Sequence, residues 1–163
     1  VPADPHPRRV RSAELGPLGN VSKEYMTSLS TLGNRFRKMV RDLDVPDYFK
    51  TFHTTPQHDG SPHVETEGGT FYFVVTERGS EIERVRCSSA DEVLYLLLRS
   101  ITQYVATQYE CEKRQEGIDG RTIWFPYQEK LMADLRPEWG ERLKKEHRDT
   151  LARYPFRSHG DGT

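Results

Sequence analysis

The chain has 163 residues, enough for one domain with a sizeable core and too few for two domains of ordinary size. Apolar side chains make up 34% and charged ones 30%, and the apolar residues are clustered, which excludes a chain disordered throughout. The 24 basic and 25 acidic side chains nearly cancel, +2 over residues 1–60 and −3 over residues 61–163, so neither part carries the basic footprint of a nucleic-acid binder.

Sequence balance does not locate charges in space, and a local patch stays open. No apolar run approaches the roughly 18 residues of a membrane span. Val1 suggests a trimmed or partial chain, with no signal peptide ahead of the domain.

Residues 1–20, VPADPHPRRVRSAELGPLGN, are rich in Pro, Gly and Arg and carry no apolar period, which predicts a flexible arm. The RRVR run is too short to specify nucleic acid. Over residues 22–43, Tyr25, Leu29, Leu32, Phe36, Met39 and Leu43 recur every three or four positions on one helical face. Ser22 is the expected cap, and Pro46 stops the helix.

Residues 46–61 read as a connection. HVETE, Gly68-Gly69 and TFYFVVTE then read as a hairpin. Phe71, Phe73 and Val75 share a face opposite Tyr72 and Val74. Both faces are apolar, which predicts a central strand. The turn ERGSE leads to IERVRC, where Ile82 and Val85 break alternation but β-branched content favours a strand.

Ser89-Ala-Asp-Glu92 is a capping box opening a helix from Ala90 to about Glu116. Ala90, Leu94, Leu97, Ile101, Tyr104, Val105 and Gln108 line one side, with Val93, Leu98 and Cys111 nearby. This stripe should cover the inner face of the sheet, and Gly117 is the expected C-cap. A short helix follows over residues 124–135. Pro137 fits a first-turn position, and Trp139, Leu143, His147 and Leu151 form the stripe of a last helix to about Arg153.

The expected fold is α+β: a small antiparallel sheet of about three strands covered by a long helix, with an N-terminal helix and two C-terminal helices. The expected organisation is an arm (residues 1–20), one domain (residues 21–156) and a flexible tail (residues 157–163).

Candidate chemistry is sparse. Cys87 and Cys111 lie outside metal or redox spacing and read as two buried reduced thiols, with a single disulfide left open. His53, His58 and His63 stand five apart but match no strong ligand pattern. His147, on an apolar stripe, reads as a packed residue. No nucleophile elbow or phosphate-binding glycine loop is present, and no cofactor is expected.

Glu112 and Glu116, four apart on one helix face, and Asp119 could divide acid and base roles in a hydrolase. They could equally form a solvated network with Lys113, Arg114 and Arg121. A third reading, a nucleic-acid or regulatory module, uses Arg8, Arg9 and Arg11 of the arm. The stretch ECEKRQEGIDGRTIWFPYQEKL reads best as a corner. Its helix ends at Gly117, Asp119-Gly120 turns, and Ile123, Trp124, Phe125 and Tyr127 return to the core. Aromatics and arginine in a polar rim are what protein interfaces favour.

Several spaced motifs add a resemblance. Glu116, Gly117, Asp119 and Arg121 form E-G-x-D-x-R, and Phe125, Gln128 and Leu131 form F-x-x-Q-x-x-L. Pro137, Glu138 and Trp139 follow, then Tyr154, Pro155 and Phe156. In this order, over about residues 68–156, the chain resembles the immunity protein 63 family of bacterial polymorphic toxin systems. Arg136 departs from the family, which commonly places a better cap such as Asn before the proline.

The resemblance implies a small, non-catalytic cytoplasmic bacterial protein without a cofactor. It implies binding and neutralisation of a cognate toxin domain, with no role for nucleic acid or membrane. The expected partner-binding residues are Glu110, Glu112, Glu116, Asp119, Arg121 and Trp124. Phe125, Gln128, Trp139, Tyr154, Pro155 and Phe156 are expected to be structural.

Overall fold

The helices and strands begin where local capping and turn chemistry place them. The computed structural model describes residues 28–157. Its elements are α1 (Leu29–Val40), a 3-10 turn (Asp47–Lys50), β1 (Asp59–Glu67), β2 (Thr70–Glu77), β3 (Ser80–Cys87), α2 (Ala90–Lys113), α3 (Arg121–Leu135) and α4 (Pro137–Arg153). The fold is α+β. The expected arm, Ser22, Tyr25 and the tail from residue 158 onward lie outside the described residues.

Ser28, rather than Ser22, caps α1: its hydroxyl accepts from the Thr31 amide at 3.1 Å. Leu32 and Phe36 are buried on this helix, as their spacing predicts, while Val40 is buried in place of the expected Met39, which is half-buried.

The sheet is antiparallel in the order β1-β2-β3, with the doubly apolar β2 in the centre. Val64, Phe73 and Val85 stand in one cross-strand row, and Phe71 pairs with Cys87 in a neighbouring row of the same face. All belong to the core or pack against it. The register slips where Val75 faces Glu83 and Thr76 faces Glu81. Ile82 is the extra residue of that bulge and stands exposed, which explains the broken alternation of β3.

The opposite face carries a charged lattice. His63, fully buried, lies 2.8 Å from Glu65, whose other oxygen accepts from Arg84 at 2.7 Å. Arg84 also holds Glu81 and sits over the Tyr72 ring.

Ser89 caps α2 by accepting from the Glu92 amide at 3.1 Å. Only this half of the capping box forms. The Glu92 carboxylate instead takes Arg142 of α4 in a two-pronged contact at 2.6 and 2.9 Å. Every residue from Val93 to Leu98 is buried. A helix buried all round has neighbours on all sides: α2 packs on β2, β3 and α1, and also on α3. It therefore covers the sheet, as its broad stripe predicts, and also serves as a central rod for α1 and α3. Gln108, expected on the buried stripe, is exposed.

Two α-helices complete the layer. α4 begins with Pro137 at its first turn and buries Trp139, Leu143 and His147. α3 and α4 approach closely at Gly140, where a Cβ would stand 2.9 Å from the Ala133 Cα. The weak cap at Arg136 is offset by other contacts. Its guanidinium reaches Asp91 at 3.2 Å and lies 4.6 Å from the Trp139 ring centre. Asp91 also pairs with Arg35 of α1, tying three helices at one carboxylate.

Candidate functional site

α2 ends at Lys113, three residues short of the expected Glu116. Gly117 is consequently not its C-cap but a turn residue beyond it, with a left-handed φ of 74° that favours glycine. Because Glu116 lies past the helix end, it does not share a helical face with Glu112. Both are exposed, as is every residue from Cys111 to Ile118. The tip of the rod is thus open to solvent.

Glu110 differs from its neighbours: its side chain is only 8% exposed. Its two oxygens accept from Arg114 Nε at 2.8 Å and Arg114 Nη2 at 2.7 Å. Arg114 holds this carboxylate below its usual range, so Glu110 stays ionised. Gly120 leaves room for it, since a Cβ there would meet the Glu110 carboxylate at 2.8 Å. Glu110 therefore braces the start of α3 from beneath.

Asp119 and Arg121 form the other half of the corner. Arg121 Nε donates to Asp119 Oδ1 at 3.0 Å and Nη2 donates to Oδ2 at 2.6 Å. The rest of the guanidinium turns to the end of the fold, with Nη1 donating to the Tyr154 carbonyl at 2.7 Å and Nη2 to the Pro155 carbonyl at 2.9 Å. The Arg157 amide returns a bond to Asp119 at 3.1 Å, and the Phe156 ring lies 5.5 Å from the Arg121 guanidinium. Asp119, Arg121, Tyr154, Pro155 and Phe156 are one clamp pinning the segment after α4 to the start of α3. Arg121 leads the causes that hold the Asp119 carboxyl far below the carboxylate range, followed by the backbone amides of Arg121 and Arg157.

Trp124 is half-buried, edge-on to Phe125 and His147. His147 stacks on Phe125 at 3.8 Å, with its Nδ1 2.8 Å from Glu129. It is a packed histidine, as its stripe suggests. Gln128, 1% exposed, crosses from α3 to α2 and donates to the Arg99 carbonyl at 2.9 Å. The thiols are both free; Cys87 is buried as expected, but Cys111 is exposed because its helix face points outward at the tip. Among the described residues, no three His, Cys, Asp or Glu side chains gather so as to hold a metal ion.

These elements enclose an open cleft of about 890 Å³. Glu110, Asp119, Arg121 and Trp124 line it, whereas Glu112 and Glu116 do not. Four of its walls, Ile118, Arg114, Arg153 and Arg157, are not among the expected contact residues, although the sequence also reads Arg114 as part of a solvated ion-pair network. Arg114 was findable, because it stands four residues after Glu110 on a helix. Arg153 and Arg157 carry no such local signal. Arginine contacts hold both carboxylates of the cleft below their usual range, so neither is kept protonated as a proton donor near neutral pH.

The sequence model of the Immunity protein 63 family matches residues 67–149. The chain belongs to this family. The match runs from the end of β1 through most of α4 and takes in the whole α2–α3 corner. It ends before Tyr154, Pro155 and Phe156, so in this Immunity protein 63 chain the clamp joins the matched region to residues beyond it. No curated protein and no solved structure matches the chain. No described helix is long and apolar enough to cross a membrane.

Proposed function

We propose that this chain is a non-catalytic immunity protein that binds and neutralises a cognate bacterial toxin domain in the cytoplasm. Of the single domain expected over residues 21–156, the described part from residue 28 onward carries this role. Family membership supports the general role.

One observation supports the corner as the contact surface. Of the five large hydrophobic residues that stand exposed among the described residues, Ile118, Tyr154 and Phe156 surround Arg121. Tyrosine and arginine anchors within a charged rim are the usual composition of a binding hot spot. Glu112 and Glu116 supply acidic rim groups, Trp124 and Arg121 form the cleft wall, and Glu110 and Asp119 hold the arginines in place.

The test is co-expression with the toxin domain encoded beside the gene. Restored growth and a stable complex on size-exclusion chromatography are expected; arrested growth with no complex overturns the reading. Within the complex, Ile118→Asp combined with Tyr154→Ala should weaken affinity by about tenfold or more at unchanged melting temperature. Unchanged affinity would move the contact surface elsewhere.

A further inference from the structure

We propose that the cleft at the corner seats an acidic segment of the protein partner, with Asp or Glu side chains received by Arg153 and Arg157. The inference rests on the toxin-binding reading and names the chemistry that this site recognises.

The charges of the cleft do not balance. Four arginines, at 114, 121, 153 and 157, face two carboxylates, Glu110 and Asp119. Both carboxylates are already engaged, by Arg114 and by Arg121. Arg153 uses only Nε, donating to the Asp149 carbonyl at 3.2 Å. Among the described residues, two arginines that line the cleft, Arg153 and Arg157, are thus without a carboxylate partner.

Guanidinium forks match carboxylates in a two-pronged geometry. Trp124, Tyr154 and Pro155 add apolar surface beside the arginines, against which the stem of an Asp or Glu side chain can lie. The volume is within the roughly 300–1,000 Å³ of a small-ligand pocket, room for a few side chains rather than a folded element.

An extended nucleic acid fits less well than an acidic peptide. A phosphate backbone needs a continuous basic stripe, whereas the arginines here are gathered in one cleft and interleaved with Glu110 and Asp119.

The probe is an oligoglutamate peptide titrated at low salt into the full chain, followed by backbone amide chemical shifts. An oligoglutamine peptide and a thymidine oligonucleotide are titrated in parallel. Saturable oligoglutamate binding is expected, with shifts centred on Arg114, Trp124, Arg153 and Arg157 and no response to oligoglutamine. Arg153→Ala combined with Arg157→Ala should weaken it by about tenfold or more and leave the fold unchanged. Absent or diffuse binding, unchanged affinity in the double variant, or tighter binding of the oligonucleotide overturns the proposal.

The neighbouring toxin domain separates this inference from the function it rests on. If the toxin binds and the double variant binds it equally well, the acidic-segment proposal fails while the immunity function stands. If the toxin does not bind at all, the function reading fails, and the peptide titration still decides what the cleft accepts.

Discussion

Asp119 holds Arg121 through both carboxylate oxygens, at 3.0 and 2.6 Å, and so aims the remaining donors of that guanidinium at the carbonyls of Tyr154 and Pro155. The aspartate is the positioning residue and the arginine is the tether. Two residues of one turn thereby fix chain more than thirty positions away.

Asp119→Asn should loosen this tether. The neutral amide keeps the shape but loses the charge-assisted bonds, at a cost of about 1–3 kcal/mol. Hydrogen exchange of the Arg157 amide, which donates to Asp119, should speed up before global unfolding. In the wild type, the lowered pKa means that this stabilisation is present above the ordinary aspartate pKa and lost only as pH falls through the folded value. The Arg157 amide should therefore stay protected down to about pH 4. Loss of protection at neutral pH would contradict the ionised clamp.

His147 predicts a different pH response. Burial between Phe125 and the α3–α4 seam lowers its pKa, against the opposing pull of the Glu129 carboxylate. The neutral ring is thus the folded form. Its contribution is fully present above the unfolded histidine value of about 6.5 and is lost as pH falls toward the folded value. Urea midpoints should decline below that pH, and His147→Gln should flatten the decline. An equal slope in the variant would assign the effect to other groups.

Gly140→Ala tests the closeness of the last two helices. An added methyl meets both the backbone and the side chain of Ala133, and neither can swing aside. Overpacking of this kind costs about 1–3 kcal/mol, although alanine is the better helix former. A lower thermal midpoint is expected. A higher one would mean that α3 and α4 can separate freely.

Gln128→Ala tests the buried amide between α2 and α3. It deletes the bond to Arg99 and the contact at 3.3 Å with Thr102, and leaves a cavity in a site that is 1% exposed. A loss of about 2–4 kcal/mol by chemical denaturation is expected. Less than half of that would show that the helices repack over the gap.

The sequence by itself determined what is governed by neighbours along the chain. Pro137 and the four-residue stripe from Trp139 placed α4 at its observed bounds, Ser89 placed the start of α2, and the two apolar faces of Phe71–Val75 made β2 central. Caps, prolines and periodic burial act over one or two turns, so they can be read locally. Only the tertiary structure decided that Glu110 lies beneath Gly120 rather than in solvent, that Glu92 turns from its own cap to Arg142, and that Arg121 reaches the last carbonyls of the fold. Such bonds join side chains to distant partners, many of them backbone atoms that every residue carries. They leave neither period nor composition in the sequence. The charge of the cleft is of the same kind, because it arises where three chain segments meet in a molecule whose basic and acidic side chains almost cancel.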